Sequence, residues 1–173
     1  YCEINKIPIT VHCSPGGVKG KVSENIAKYL NNPANWFNPL WDHRKLHINL
    51  AHFGGESNFL NYFLNNQNTW TKTIHLLMQE FENLFADISF MSSLVEDSSK
   101  FFKAYDKASA DVFVGDRLLM GSDRLLSTVL YSEKRIIQKL NDFLTKKEID
   151  ILTESNINRF LFINPDLPKR LFA

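Results

Sequence analysis

The sequence has few cysteines, almost no net charge and no long apolar run, which are the features that most readily assign a protein to a class. Its 173 residues include only two cysteines, and 20 basic residues stand against 19 acidic ones, for a net charge of +1. Cys2 and Cys13 lack C-x-x-C spacing, so we expect free thiols in a reducing, cytoplasmic compartment. The sequence has no basic stripe and no apolar run of the roughly 18 residues that cross a bilayer, which argues against nucleic-acid and membrane partners.

Hydrophobic residues are plentiful, at 44% of the chain, and 13% of the residues are aromatic. This composition suffices for a buried core and excludes both a disordered chain and a small disulfide-stabilised scaffold. No linker or low-complexity segment is visible, so we expect residues 1–173 to form a single domain or part of one. A strand-like run begins at Ile7, soon after Tyr1, and we therefore expect the chain to belong to a longer polypeptide.

Four short apolar runs recur at nearly even intervals. Successive runs end 34 to 40 residues apart, and each is closed by a polar or glycine-containing turn. A strand with its crossover helix needs roughly 30 residues or more, so the spacing predicts four βα units with parallel strands. The runs are residues 7–12, 46–52, 84–89 and 117–123.

The segments between the runs show helical periodicity of varying strength. A capping box at Thr145 and Glu148 predicts a further helix start, and Asn156 is expected to end that helix. Residues 31–42, rich in aromatics and containing two prolines, are predicted to form a loop with an aromatic plug. The predicted helices are 21–30, 71–83, 92–105 and 132–144.

Repeated βα units build either an open doubly wound sheet or a (β/α)8 barrel. Four strands are too few to close a barrel, and a four-stranded sheet leaves its first and last strands unpaired. We therefore expect the remaining strands to lie in sequence outside this chain or to come from another copy of it.

Three of the four runs end in a residue that can bind a metal ion, namely His12, His52 and Asp123. The carboxyl ends of parallel strands meet at one edge of a sheet, where α/β proteins place their sites. Imidazole nitrogen and carboxylate oxygen suit Zn²⁺, Mn²⁺ or Fe²⁺. Each residue also has an ordinary structural explanation, such as a hydrogen-bonded histidine or a helix-capping aspartate. Three of them in register favour a divalent-metal site.

Other polar residues give weaker patterns. His43 and His47 are four residues apart, but arginine replaces the glutamate of an H-E-x-x-H motif, so no metal site is expected there. His75 falls in the middle of a predicted helix and is expected to be a partly exposed surface residue. Asp87 is predicted to lie inside the third strand, where it would orient a neighbouring polar group.

Five sequence blocks occur in a characteristic order: PITVHCSP at 8–15, LAHFGG at 50–55, FADIS at 85–89, LMGSD at 119–123, and a tail that ends in NINRF at 156–160. Together they resemble the second half of an amidohydrolase-related barrel of the metal-dependent hydrolase superfamily. The tail is similar to the closing helix and Asn-x-x-Arg-Phe signature of that family. The resemblance covers nearly the whole chain.

The resemblance implies a TIM-like (β/α)8 barrel of which this chain forms the C-terminal four βα units, strands five to eight. It implies that His12 and Asp123 bind a catalytic divalent metal, with Zn²⁺ the first choice, and that His52 is the catalytic histidine. Asp123 would also take a proton from an activated water. The implied function is metal-dependent hydrolysis of a C–N or C–O bond in a small-molecule substrate.

Two departures from the family pattern affect this interpretation. The first strand of the family carries a His-x-His pair of further metal ligands, which this sequence lacks, so a preceding segment would have to provide it. Arg124 follows Asp123 where the family often has an aromatic residue and a proline. This arginine would either bind an anionic substrate group or be a solvated residue at a helix start.

Two alternatives to the hydrolase stay open at the level of sequence. Related barrels perform non-oxidative decarboxylation with similar residues, and the pocket rather than the metal ligands separates the two reactions. The chain could instead be a catalytically incomplete half-barrel, which assembles as a homo-oligomer or with a separate N-terminal half and so covers its edge strands.

Overall fold

The centre of the molecule is a sheet of four parallel strands in the order β1-β2-β3-β4. The computed structural model describes residues 1–15, 23–121, 123 and 131–161. The sheet confirms the parallel strands predicted from the spacing, although each strand is shorter than the apolar run that indicated it. The strands are β1 (Ile9–His12), β2 (Ile48–Ala51), β3 (Leu84–Asp87) and β4 (Leu118–Leu119).

Helices lie between the strands and after the last one, and several begin at a serine or threonine whose side chain accepts a backbone N–H bond. Within the described segments, no helix is long and apolar enough to cross a membrane. The helices are α1 (Glu24–Leu30), α2 (Phe37–Asp42), α3 (Glu56–Asn65), α4 (Trp70–Glu80), α5 (Ser93–Glu96), α6 (Ser98–Ser109), α7 (Glu133–Phe143), α8 (Lys146–Asp150) and α9 (Asn156–Leu161), with a π-helical turn at Ile151–Ser155.

The two faces of the sheet have different surroundings. One face, which includes Ile48 and Leu84, packs against the helices and forms the main hydrophobic core. On the other face, Phe85 packs with Leu119 and with Phe160 of α9 in a separate small cluster. Because side chains alternate along a strand, the polar residues in register with this second face share it with Phe85. They are Thr10, His12, Asn49 and Asp87.

The prediction of a loop at residues 31–42 is wrong. A 3₁₀ turn at Pro33–Trp36 leads directly into α2. The Asn32 side chain accepts a backbone N–H bond at 2.9 Å, and the proline follows it at the first position of the turn, which are two helix-start signals. Phe37 packs edge-on against Phe81 at 5.5 Å between ring centroids, so part of the aromatic stretch does pack inward.

Two other helix predictions need correction. The predicted helix 92–105 is divided into α5 and α6 at Asp97, whose carboxylate caps α6.

Contrary to the prediction, Asn156 does not end a helix but begins α9. It is buried, and its amide donates to the carbonyl oxygens of Gly115 at 2.8 Å and Leu118 at 2.9 Å. Its hydrogen bonds therefore tie the start of α9 to β4 and to the turn before it. Helix α3 is not predicted at all, and residues 21 and 22 of the predicted helix 21–30 lie outside the described residues.

The prediction that His75 lies on the surface is also wrong, because only 8% of the residue is exposed. Nδ1 of His75 lies 2.6 Å from the Tyr62 hydroxyl, and Nε2 lies 3.2 Å from a carboxylate oxygen of Asp111. Burial, together with the nearby charge of Asp111, raises the pKa of Tyr62. His75 thus joins α3 and α4 to the segment after α6, and partners so distant in sequence leave no local pattern.

Both cysteines are free thiols, as predicted. Cys13 follows β1 and is fully buried, with its thiol 3.5 Å from the backbone carbonyl oxygen of Asn31. Burial raises the pKa of this thiol from 9.0 to about 12. Cys2 is only partly buried.

We expect alkylation at neutral pH to modify Cys2 in the native protein and Cys13 only after unfolding, because a buried thiol is hard to ionise. The folded-state pKa of Cys13 exceeds its unfolded value, so its contribution to stability is complete below pH 9.0 and is lost as the pH rises toward about 12. Mass spectrometry of native and denatured samples measures the labelling. Equal labelling of both cysteines in the native state would contradict the burial of Cys13.

A candidate active site at the carboxyl edge of the sheet

The ends of β1 and β2 bring two imidazoles together. His12 is the last residue of β1 and is in register with Ala51, so His52 begins the turn beside it. The two rings meet edge to face, with centroids 4.9 Å apart. The hydroxyl oxygen of Ser14 lies 3.2 Å from Nε2 of His12. The carboxyl edge of the sheet therefore carries a histidine pair.

A buried carboxylate lies beside this pair. Asp87 is the last residue of β3 and not an interior residue, which corrects its predicted position. Its Oδ1 accepts backbone N–H bonds from His52 and Ser89, both at 3.0 Å, and a bond from the Ser89 hydroxyl. Its Oδ2 accepts from the Asn49 amide at 2.7 Å. Asp87 thus anchors the backbone that leaves β2 and β3, and it does orient neighbouring polar groups.

Ser89 connects the carboxylate to the histidine pair. Its hydroxyl oxygen lies 2.8 Å from Nδ1 of His52, and its backbone carbonyl oxygen lies 3.2 Å from the same nitrogen. Two oxygen atoms of one residue therefore face one ring nitrogen. This contact fixes the orientation of the His52 ring.

The turn after β2 has an unusual backbone. His52, Phe53, Gly54 and Gly55 all have positive φ, at 66°, 44°, 83° and 91°. Left-handed conformations cost L-residues free energy, and such strain concentrates at functional sites. A hydrogen bond from α4 stabilises this conformation, because the Thr71 hydroxyl donates to the Phe53 carbonyl oxygen at 2.7 Å.

Gly54→Ala is expected to lower the free energy of unfolding by about 2–3 kcal/mol, from left-handed strain and overpacking together. A Cβ at this position would lie 2.9 Å from the backbone nitrogen of Thr71, which cannot easily move. Urea denaturation measures the loss, with Asn65→Ala on the exposed end of α3 as the control, expected within about 0.5 kcal/mol of wild type. A Gly54→Ala protein as stable as the control would show that the turn is not constrained.

The fourth strand reaches the same region through Gly121. A Cβ at Gly121 would lie 2.8 Å from that of Ser89, so β4 continues close against the residues that follow β3. Asp123, two residues further on, is partly buried and has φ of 42°. Arg124 lies outside the described residues. Across 1–15, 23–121, 123 and 131–161, no three His, Cys, Asp or Glu side chains cluster as a metal site. The metal-ligand roles of His12 and Asp123 and the substrate-binding role of Arg124 stay predictions.

Asn49 and Ser89 were not predicted as site residues, and Asp87 was predicted only to orient a neighbouring polar group. A signal was present, because Asn49 and Asp87 are polar residues within otherwise apolar strands. A buried polar group needs a partner, so two of them on neighbouring strands indicate mutual contact. No motif marks Ser89, whose role depends on the path of the chain after β3.

The fold has a counterpart among solved structures. The chain is similar to an amidohydrolase from Burkholderia multivorans, crystallised with bound HEPES, at a TM-score of 0.58 and 14% sequence identity. The match covers 92% of this chain but only 54% of that one, so the chain spans about half the length of the amidohydrolase. No protein-family model and no curated protein sequence matches the chain. The similarity therefore concerns the fold, which agrees with a TIM-like amidohydrolase arrangement.

Proposed function

We propose that this chain forms the C-terminal half of a (β/α)8 hydrolase of the amidohydrolase superfamily, acting on a C–N or C–O bond of a small molecule. The observation that carries the proposal is the pair of imidazoles at 4.9 Å on the carboxyl edge of a parallel sheet. Barrel enzymes place their catalytic groups at this edge.

The open sheet supports the proposal of a half-barrel. β1 and β4 are the outer strands of the sheet, and each pairs on one side only with another described strand. The face that carries Thr10, His12, Asn49 and Asp87 would become the interior of a closed barrel. The match covers 54% of the amidohydrolase, and this share supports the proposal that the chain supplies half of such a barrel.

The donor set fits part of a divalent-metal site. Neutral imidazole nitrogens suit Zn²⁺, and His12 carries its ring at the carboxyl end of β1, beside the ring of His52. His12 would hold the ion together with Asp123, and the other half of the barrel would supply the further ligands. When bound, the ion would polarise the scissile carbonyl and lower the pKa of water toward ~7.

The residues of this chain would handle the proton and the developing charge. His52 would stabilise negative charge on the substrate oxygen through Nε2 once that nitrogen is protonated, or take a proton there from the attacking water. Asp123 would accept a proton from that water, and Arg124 would bind an anionic substrate group. General acid–base groups of this kind contribute about 10²–10⁴-fold to a rate.

The test is an activity screen of the complete protein against lactones, esters and amides, with carbon dioxide release from unsaturated carboxylic acids measured in parallel. Hydrolysis that falls together with bound metal in His12→Ala and Asp123→Ala would support the proposal. Asp142→Ala, on an exposed position of α7, is the control and should leave activity unchanged. Full activity in either site variant would reject the ligand assignment, and carbon dioxide release without hydrolysis would favour a decarboxylase.

The mass of the chain in solution tests the half-barrel. A half-barrel that lacks its complement should form a dimer or higher oligomer that covers β1 and β4. Size-exclusion chromatography with light scattering measures this, and a stable monomer would count against the need for another half.

A further inference from the structure

We propose that Asp87, acting through the Ser89 hydroxyl, holds His52 in the tautomer that is protonated on Nδ1, so that Nε2 is its basic nitrogen. Asp87 and Ser89 are positioning residues here. The proposal rests on the proposed function only for the use made of Nε2, because the tautomer itself can be observed without any activity.

Asp87 acts only as a hydrogen-bond acceptor. Its donors include the backbone N–H groups of His52 and Ser89, each at 3.0 Å, and both of these groups can only donate. The Asn49 side chain adds an N–H donor on Oδ2 at 2.7 Å. A carboxylate surrounded by donors has no role for a proton of its own. The bond between Asp87 Oδ1 and the Ser89 hydroxyl therefore uses the hydrogen of the serine.

The Ser89 hydroxyl fixes the direction of the hydrogen bond to His52. A serine hydroxyl has a single hydrogen, and here Asp87 receives it. The contact of 2.8 Å between Ser89 Oγ and His52 Nδ1 can then be a hydrogen bond only if the imidazole donates. The chain of bonds thus runs from His52 through Ser89 to Asp87, and it requires a proton on Nδ1.

The backbone gives the same direction independently. The carbonyl oxygen of Ser89 lies 3.2 Å from Nδ1 of His52, and a carbonyl can only accept. A proton on Nε2 instead would leave Nδ1 facing two lone-pair-bearing oxygens. In a site that is mostly buried this arrangement is unfavourable, so the Nδ1–H tautomer is the stable one.

The tautomer of His52 is therefore fixed by the protein itself, before any ligand binds. Asp87 holds both the backbone N–H of His52 and, through Ser89, the ring. Nε2 is then the nitrogen that can act as a base or as a metal ligand. This arrangement is a carboxylate–histidine pair with a serine inserted between the two partners.

The test is long-range ¹H–¹⁵N NMR of the ¹⁵N-histidine-labelled chain, at an alkaline pH where imidazoles are neutral. His52→Asn assigns the resonances, because the pair that disappears belongs to His52. We expect a pyrrole-type Nδ1 and a pyridine-type Nε2 for His52 in the wild type. Ser89→Ala should lower the Nδ1–H population and Ser89→Thr, which keeps the hydroxyl, should restore it.

Each outcome decides one part of the proposal. A wild-type His52 with its proton on Nε2 would overturn it outright, whatever the variants do. A wild-type Nδ1–H tautomer that Ser89→Ala leaves unchanged would overturn the roles of Ser89 and Asp87, because the backbone carbonyl would then suffice. The resonances of His43, His47 and His75 report whether Ser89→Ala keeps the fold. None of these results depends on whether the protein is a hydrolase.

Discussion

Asp87→Ala is expected to lower the free energy of unfolding by about 3–5 kcal/mol, close to the largest effects of single substitutions. The change removes the acceptor of two backbone N–H groups, the Ser89 hydroxyl and the Asn49 amide, all at a site where Asp87 is 5% exposed. Each buried donor left without a partner costs about 1–3 kcal/mol. Water that enters the cavity would bind some of the four donors, so the total loss is smaller than four such penalties added together.

Urea denaturation of the Asp87→Ala protein measures this loss. Asp142→Ala is the matched control, since this carboxylate is exposed on α7 and its removal should change stability by no more than about 0.5 kcal/mol. A loss below about 1 kcal/mol for Asp87→Ala would mean that the four donors find other acceptors. The carboxylate would then not be the anchor of the strand ends.

If the proposed hydrolase activity is correct, His52→Asn is expected to lower kcat/KM of the complete protein about 10²–10⁴-fold, the range that a general acid–base group contributes. Asparagine tolerates the positive φ of 66° at this position, so the substitution should leave the fold intact. It removes the imidazole that contacts His12 and Ser89. Steady-state kinetics on a substrate found by the activity screen measures the effect.

His43→Asn is the control for this substitution. His43 precedes β2, so it lies toward the amino end of the strands, and its Nδ1 contacts a carboxylate oxygen of Glu3 at 3.0 Å. That hydrogen bond lowers the pKa of Glu3. His43 lies before β2 begins, whereas His52 follows its last residue. Activity should be unchanged in His43→Asn. A His52→Asn enzyme as active as this control would remove His52 from the mechanism.

The parallel sheet was predictable because its sequence signal is periodic. Buried parallel strands are continuous apolar runs, and a helix must lie between neighbouring strands, so four runs that end 34 to 40 residues apart specify four βα units. The contact of His12 with His52 follows from the same regularity, since strand ends in register lie side by side. The extra helix α3 was not predictable in this way. It lies between β2 and α4, and a strand followed by one helix already completes a βα unit.

The hydrogen bonds of the site depend on side-chain geometry that no spacing encodes. Asp87 and Ser89 belong to the FADIS block, but the block does not indicate which backbone amides meet the carboxylate. His75 shows the same limit, because its two partners come from different elements. Predicting them would require knowing how α3, α4 and the segment after α6 pack.

The most direct test of the proposed hydrolytic role of the histidine pair is a double-mutant cycle on kcat/KM of the complete protein, with His12→Ala, His52→Asn and the two combined. Residues that act as one catalytic unit have strongly non-additive effects. If the histidine pair is the hydrolytic centre, each single substitution should cause a large loss and the double variant should lose little more than the worse single. Full activity in either single variant, or losses that simply multiply, would contradict a shared site at the carboxyl edge of the sheet.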